Sequence, residues 1–336
     1  MKARIILVLV AVLCVIGSWT GLSFYRYATT PQQSSGAAIA LWIKPGDSFA
    51  ETVVQLQKAG IVRRPKMFRW LAYLKGYERR IRAGEYLLRR SMAPMAILEV
   101  LVRGKALLHK VVVPEGSTIV RIGQILETEG LVSQKTFLEK ALDTSFTQAL
   151  GVEGDTFEGY LFPETYLFPK GVSAEKIIRT MVSHFRSIFT PVWAERAGEM
   201  GLSAHEVVTL ASIVEKETAK PEERPLIAAV FLNRLRLGMG LESDPTVIYG
   251  IEGFDGNLTR KDLETPTPYN TYRISGLPAG PISNPGQASM EAVLYPTKQP
   301  YLYFVSKNDG SHHFSSTLAE HNRMVDRYQR RRSSRP

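Results

Sequence analysis

"SAHEVVTLASIVEKETA", residues 203–219, is the stretch on which the reading of this chain turns. It opens with a helix-starting pattern, Ser203 followed three residues later by Glu206, which predicts a capping box. At about 100° per residue, Leu210, Ile213 and Val214 form one apolar stripe. Two glutamates close the run. Glu217 falls within about 20° of Leu210, whereas Glu215 points well over 100° away, near Val208 and Ala219. The wheel therefore aims Glu217 into the protein body or a cleft, where desolvation raises a carboxyl pKa, as a general acid at neutral pH requires. Glu215 is the better partner for a nearby cation. A carboxylate at a helix end also pairs readily with Arg or Lys, so the pattern alone leaves Glu217 a candidate.

The flanks of this helix are helical too. "SAEKIIRTMVSHFRSIFTPVWAERA" predicts one amphipathic helix before it, and "PEERPLIAAVFLNRLRLGM" predicts another after it, with Pro221 in the first turn. Asp244–Pro300 is a long polar stretch rich in Tyr, Pro and Gly, and loops of that length are commonly functional. "YLYFVSK" then predicts a strand and "HHFSSTLAEHNRMVDRYQ" a last helix. Upstream, "FEGYLFPETYLFPKG" has the composition of loop with short strands.

The N-terminal third has a different texture. Lys2 and Arg4 precede an apolar stretch from Ile5 to Phe24, long enough to cross about 30 Å of hydrocarbon as a helix. The basic head favours a cytoplasmic N-terminus, with everything after the span outside. A cleaved signal peptide would need small residues in an A-x-A arrangement soon after the apolar run, for which "GSWTGLSFYRY" is a bulky, poor match. Leu13 beside Cys14 is a poor lipoprotein signal. Cys14 is the chain's single cysteine, so the exported part has no disulfide and depends on its core. "ATTPQQSSGAA", 28–38, predicts a flexible tether.

Then "KPGDS" forms a turn in which Asp47 or Ser48 caps a helix carrying Val53, Val54 and Leu56, ended by Gly60. A second helix is predicted over Ile61–Leu71, a strand at "AGEYLL", and a helix at "MAPMAILEVLVRG". This strand–helix–helix–strand order resembles a LysM-like module of the kind that binds N-acetylglucosamine polymers; a packing module that binds nothing has the same pattern. At an offset of 70 residues the turn and helix recur: Gly46 meets Gly116, Leu56 meets Leu126, Gly60 meets Gly130 and Val62 meets Val132. Two copies are too few for a solenoid.

The whole is expected to be α+β. Its predicted parts are a head (1–4), a transmembrane anchor (5–25), a linker (26–39), a LysM-like βααβ subdomain (40–106), a mixed α+β catalytic domain (107–330) and a basic tail (331–336). The net charge of +10 implies an anionic partner or surface. An exported chain rarely meets nucleic acid. No cofactor is implied: the six histidines lack H-E-x-x-H or cysteine partners, so no metal site is expected, and G-x-S-x-G, P-loop and G-x-G-x-x-G motifs are absent.

"ASIVEKET", "AAVFLNRLRLGMGLESDPTVIYG", "DLETPTPYNTY", "GLPAGPISNPG" and "PYLYFV" together resemble the MltG (YceG-like) family, over essentially the whole chain. The resemblance implies a membrane-anchored endolytic murein transglycosylase on the outer side of the bacterial plasma membrane. It assigns the catalytic role to the second glutamate of "EKE", here Glu217, followed by Thr218. It also implies contact with penicillin-binding proteins of the synthesis machinery. For substrate contact, Asn233, Tyr249, Tyr269, Asn270 and Tyr272 offer amide, hydroxyl and aromatic groups suited to peptidoglycan sugars, and Glu158 and Glu164 could line the same groove. Each is as well suited to a buried hydrogen bond or a turn. Two alternatives stay open: a hydrolytic muramidase with Glu164 or Asp244 as second carboxylate, and a noncatalytic glycan-binding scaffold.

Overall fold

The computed structural model describes residues 2–330, so the basic tail 331–336 lies outside the described residues. The chain divides into two compact units, one holding the residues up to His109 with Leu167–Gly171, the other Lys110–Tyr166 and Val172 onward.

The first unit begins with α1 (Lys2–Thr29), apolar and long enough to cross a membrane. It runs past the expected end at residue 25, which shortens the tether. Gln32 in that tether accepts from the backbone N–H of Arg63 at 2.9 Å, so it is tied down in part. β1 (Ala38–Ile43) pairs antiparallel with β2 (Gly84–Arg89), Ala38 opposite Arg89 and Ile43 opposite Gly84. Between them lie α2 (Phe49–Lys58) and α3 (Pro65–Lys75), in the expected βααβ order. Ser48, not Asp47, caps α2, in a full capping box with Glu51. α3 starts four residues later than Ile61, because the N–H groups of Ile61 and Val62 turn back to the Leu56 carbonyl and close α2. α4 (Pro94–Arg103) completes a core of Val53, Leu56, Phe68, Leu71, Tyr86, Leu88, Ile97, Leu98 and Leu101.

β3 (Leu108–Val112) pairs with β4 (Thr165–Pro169). In the second unit α5 (Ile119–Thr128) repeats α2 seventy residues on. Thr118 caps it as Ser48 caps α2, and the matched glycines share left-handed backbone, φ 92° and 71° at Gly46 and Gly116, 70° and 67° at Gly60 and Gly130. The repeat is thus one of backbone conformation, which explains why glycine stands at both pairs. α6 (Gln134–Ala141) and α7 (Thr144–Ala149) follow.

The single helix expected over 173–197 is two, α8 (Ala174–Ile188) and α9 (Pro191–Glu199), because Pro191 cannot continue α8 and starts a new first turn. α10 (Ala204–Glu217) has the predicted Ser203–Glu206 capping box. A 3₁₀ turn (Pro221–Glu223) precedes α11 (Arg224–Arg236), so Pro225 rather than Pro221 occupies the α-helical first turn.

The stretch 244–300 is less irregular than its composition predicts. It contains α12 (Asp244–Tyr249), α13 (Arg260–Glu264) and α14 (Gln287–Leu294). β5 (Tyr303–Ser306) and β6 (His312–Ser315) make a hairpin, which takes His312–Ser315 out of the expected last helix; that helix is α15 (Leu318–Val325), followed by a π turn. α10 is the hub of this unit. It contacts α9, α11, α12 and α14, and every residue from Val207 to Val214 is buried.

Candidate active site

Glu217 is the last residue of α10, and Thr218 turns the chain into extended backbone. The helix thereby delivers the carboxyl to the wall of a cavity of about 360 Å³, lined also by Arg234, Glu242, Asp244, Tyr272, Phe304, His312 and His321. Ser243 Oγ donates to Glu217 Oε1 at 2.5 Å. Burial pushes the Glu217 pKa up; the Ser243 hydrogen bond opposes this, the charge of Asp244 adds to it, and His312 and Arg234 moderate it. The outcome is a carboxyl raised above its ordinary range.

The groups around Glu217 are themselves held. Glu242 has a left-handed backbone, φ 51°, unusual for a residue with a side chain. Arg234, nearly buried, secures that turn. Its Nη1 donates to the carbonyls of Gly240 at 3.2 Å and Leu241 at 2.9 Å and to Glu242 Oε2 at 3.1 Å, and its Nε donates to Leu302 O at 2.7 Å. Ser243 N–H donates to Thr271 Oγ1 at 3.0 Å, and Thr246 Oγ1 donates to Ser243 O at 2.6 Å. The serine facing Glu217 is therefore positioned from both sides of its peptide. The cavity-lining His312 is held by Glu223, which accepts from its N–H at 2.8 Å and its Nδ1 at 2.7 Å. Burial opposes ionisation of Glu223, but the bonds from His312 and Thr218 outweigh it and hold its pKa below the usual range.

Glu215 meets the expected cation: Arg224 Nη2 lies 3.3 Å from its Oε1, and Gly286 N–H donates to its Oε2 at 2.9 Å. The side chain is 6 % exposed, enclosed by the Arg224 guanidinium and the Gly286 backbone, while the adjacent Lys216 is exposed.

Of the residues offered for substrate contact, Tyr272 lines the Glu217 cavity, its hydroxyl donating to Asp244 Oδ1 at 2.7 Å. The rest lie elsewhere. Asn270 is fully buried, and its amide donates to the carbonyls of Asp262, Leu263 and Thr265. Asn233 Nδ2 donates to Gln299 O and Tyr301 O. Glu158 is buried between the Ile119 N–H at the start of α5, Asn284 Nδ2 at 2.8 Å and Tyr249 OH at 3.2 Å; burial pushes its pKa up to about 8. Tyr249 packs edge-on to Tyr269 at 4.9 Å. Glu164 is exposed and accepts from the neighbouring Thr165 N–H. These polar groups are occupied in joining the long connections to the helices, which need internal partners.

Sequence reasoning passed over Ser243, Arg234, Glu242, Glu223 and His312. The only local signal was "LESDP", where Ser243 stands beside an aspartate already considered. Among the described residues no group of three or more His, Cys, Asp or Glu side chains is placed to hold a metal ion.

Fold and site together define a mixed α+β protein with an N-terminal apolar helix and a cavity built around one carboxyl of raised pKa. The chain belongs to the YceG-like family, whose pattern matches residues 41–327. It is 34% identical over 313 residues to the endolytic murein transglycosylase of Bacillus subtilis, covering 88% of this chain and 86% of that protein. It is 29% identical to the endolytic murein transglycosylase of Streptococcus pneumoniae, where the match takes 92% of this chain but spans 62% of the longer relative. A YceG-like protein of Listeria monocytogenes, known from its crystal structure, superposes with a TM-score of 0.60 at 33% identity, over 86% of this chain and all of that one.

Proposed function

We propose that this chain is a membrane-anchored endolytic murein transglycosylase that cleaves the β-1,4 bond between N-acetylmuramic acid and N-acetylglucosamine, with Glu217 as its acid and then its base. The names carried by the relatives support the reaction class. The observation that carries the residue assignment is Glu217 Oε1 held by Ser243 in the wall of a cavity, with its pKa raised.

In this reading the C1–O4 bond breaks, its electron pair stays on the leaving O4, and Glu217 supplies the proton O4 needs. The muramyl C6 oxygen forms the new bond to C1, and its proton passes to the Glu217 carboxylate, which regenerates the acid. Water does not enter the balance. The nucleophile is tethered to the carbon it attacks, so its effective molarity is high and no carboxylate nucleophile is required. The product carries a 1,6-anhydromuramic end.

Asp244 favours a second reading. It lines the same cavity, so a muramidase using it to activate water is the rival, although its Oδ1 is engaged by Tyr272. The anchor 5–25 is read as leaving the N-terminus in the cytoplasm and the part from 107 onward, the catalytic domain, outside. The βααβ part, 40–106, is read as LysM-like. Partners in this reading are peptidoglycan strands and penicillin-binding proteins.

The test is Glu217→Gln in the full chain, assayed on uncrosslinked glycan strands. Fragment release is expected to fall by roughly 10²–10⁴-fold with strand binding retained. Undiminished release would remove Glu217 from the mechanism; no release by either protein, with binding intact, would favour a noncatalytic scaffold.

A further inference from the structure

α3 buries Phe68, Leu71 and Ala72 on one face, yet its opposite face is not the polar surface an amphipathic helix ordinarily presents to water. Trp70, Tyr73 and Leu74 stand there with 62%, 65% and 60% of their surfaces exposed. Around them the segment 63–82 carries eight basic residues against one acidic, so seven of the chain's ten net positive charges fall within twenty residues. None of the eight joins an ion pair among the described residues.

α1 fixes the depth at which this face sits. Met67, Trp70 and Leu74 share a cleft of about 530 Å³ with Trp19, Gly21 and Phe24 of α1. If the apolar run Ile5–Phe24 spans the bilayer, those α1 residues are the last turn and a half of the span, about 8 Å at 1.5 Å per residue. α3 is then held at the membrane–water boundary, where Trp and Tyr side chains favour the interface. Beside this cleft lies a second one, about 480 Å³, lined by Arg26, Arg63 and Arg64 with Trp19, Leu22 and Gln32. Three arginines thus line one cleft at the foot of the span, and the planar fork of donors on a guanidinium is suited to phosphate.

We infer that the exposed α3 face and the Arg26–Arg63–Arg64 cleft together form a site for anionic phospholipid, the arginines taking the headgroup phosphate while Trp70, Tyr73 and Leu74 enter the interface. This rests on α1 spanning the membrane and is independent of the reaction at Glu217. The lipid surface then acts as a second hold on the first unit. Each basic residue near an anionic surface contributes roughly fivefold to the attraction.

The experiment places a spin label at position 73 (Tyr73→Cys in a Cys14→Ser background) of the full chain, in nanodiscs of phosphatidylcholine alone or mixed with phosphatidylglycerol. With phosphatidylglycerol the label is expected to be accessible to oxygen and shielded from an aqueous nickel chelate. Shielding weakens in phosphatidylcholine alone, and Arg63→Gln and Arg64→Gln each lower it by roughly fivefold. The lipid comparison uses one protein, so it does not depend on how the arginine variants fold. Equal exposure to the nickel chelate in both lipids would overturn the inference. So would shielding that appears only when glycan strands are added, which would make this a polysaccharide surface.

Discussion

Ser243 donates to Glu217 Oε1, and a hydrogen bond of that direction favours the carboxylate. Its removal therefore raises the Glu217 pKa further, while the loss of the positioning contact slows the reaction. Ser243→Ala is expected to lower the rate about tenfold and to move the alkaline limb of the pH–rate profile, which reports loss of the acid's proton, to higher pH. Asp244→Asn acts with the opposite sign. It removes a negative charge that raises the Glu217 pKa, so the alkaline limb should move to lower pH while anhydro ends persist. Alkaline limbs that stay put in both variants would detach the profile from Glu217. The split between the two glutamates was legible from helical periodicity, because both stand on one helix, α10. Ser243 was not. It reaches Glu217 only through the left-handed turn at Glu242 and the four hydrogen bonds of Arg234, and neither leaves a periodic trace. Asn233 and Asn270 show the converse: their chemistry suits a sugar, but their amides serve backbone carbonyls.

At the scale of elements, capped starts were predictable and breaks were not. Ser48 with Glu51 and Ser203 with Glu206 announce α2 and α10 locally. The separation of α8 from α9 turns on one residue, Pro191, inside an otherwise continuous amphipathic pattern, and the helix α14, inside a stretch of turn-forming composition, depends on packing against α9, α10 and α11. Two predictions belong here. Gly159 has φ 89°, and a Cβ there would lie 2.6 Å from Pro281 Cγ and 2.7 Å from Val208 Cγ1. Gly159→Ala should cost about 2–4 kcal/mol in denaturant unfolding, from backbone strain plus overpacking against α10. Glu158, which caps the start of α5, gives a pH signature. Its folded pKa of about 8 exceeds its ordinary value of 4.5, so the folded protein binds the extra proton. Its contribution to stability is full below about pH 4.5 and is lost as pH rises through about 8, with a slope of up to about 1.4 kcal/mol per pH unit. Unfolding midpoints measured across that window should fall less steeply in Glu158→Gln; parallel curves would show that Glu158 does not hold the proton.

For the whole molecule, the run Ile5–Phe24 and the single Cys14 were readable from composition alone, because a span needs only length and apolarity. α1 should accordingly hold the full chain in membranes through alkaline carbonate washing, and deletion of residues 5–24 should release it to the soluble fraction. Release of the full chain would leave α1 without a spanning role. What composition could not supply is the chemistry, since one acid in a cavity serves hydrolysis and transglycosylation alike. The two differ in the source of the oxygen that ends up on C1. The decisive measurement is mass spectrometry of internal fragments released from uncrosslinked glycan strands by the full chain in ¹⁸O-water. Intramolecular attack by the C6 hydroxyl predicts 1,6-anhydromuramic ends with no ¹⁸O. Reducing ends carrying one ¹⁸O would contradict it and make Asp244 the first residue to test as the base that activates water.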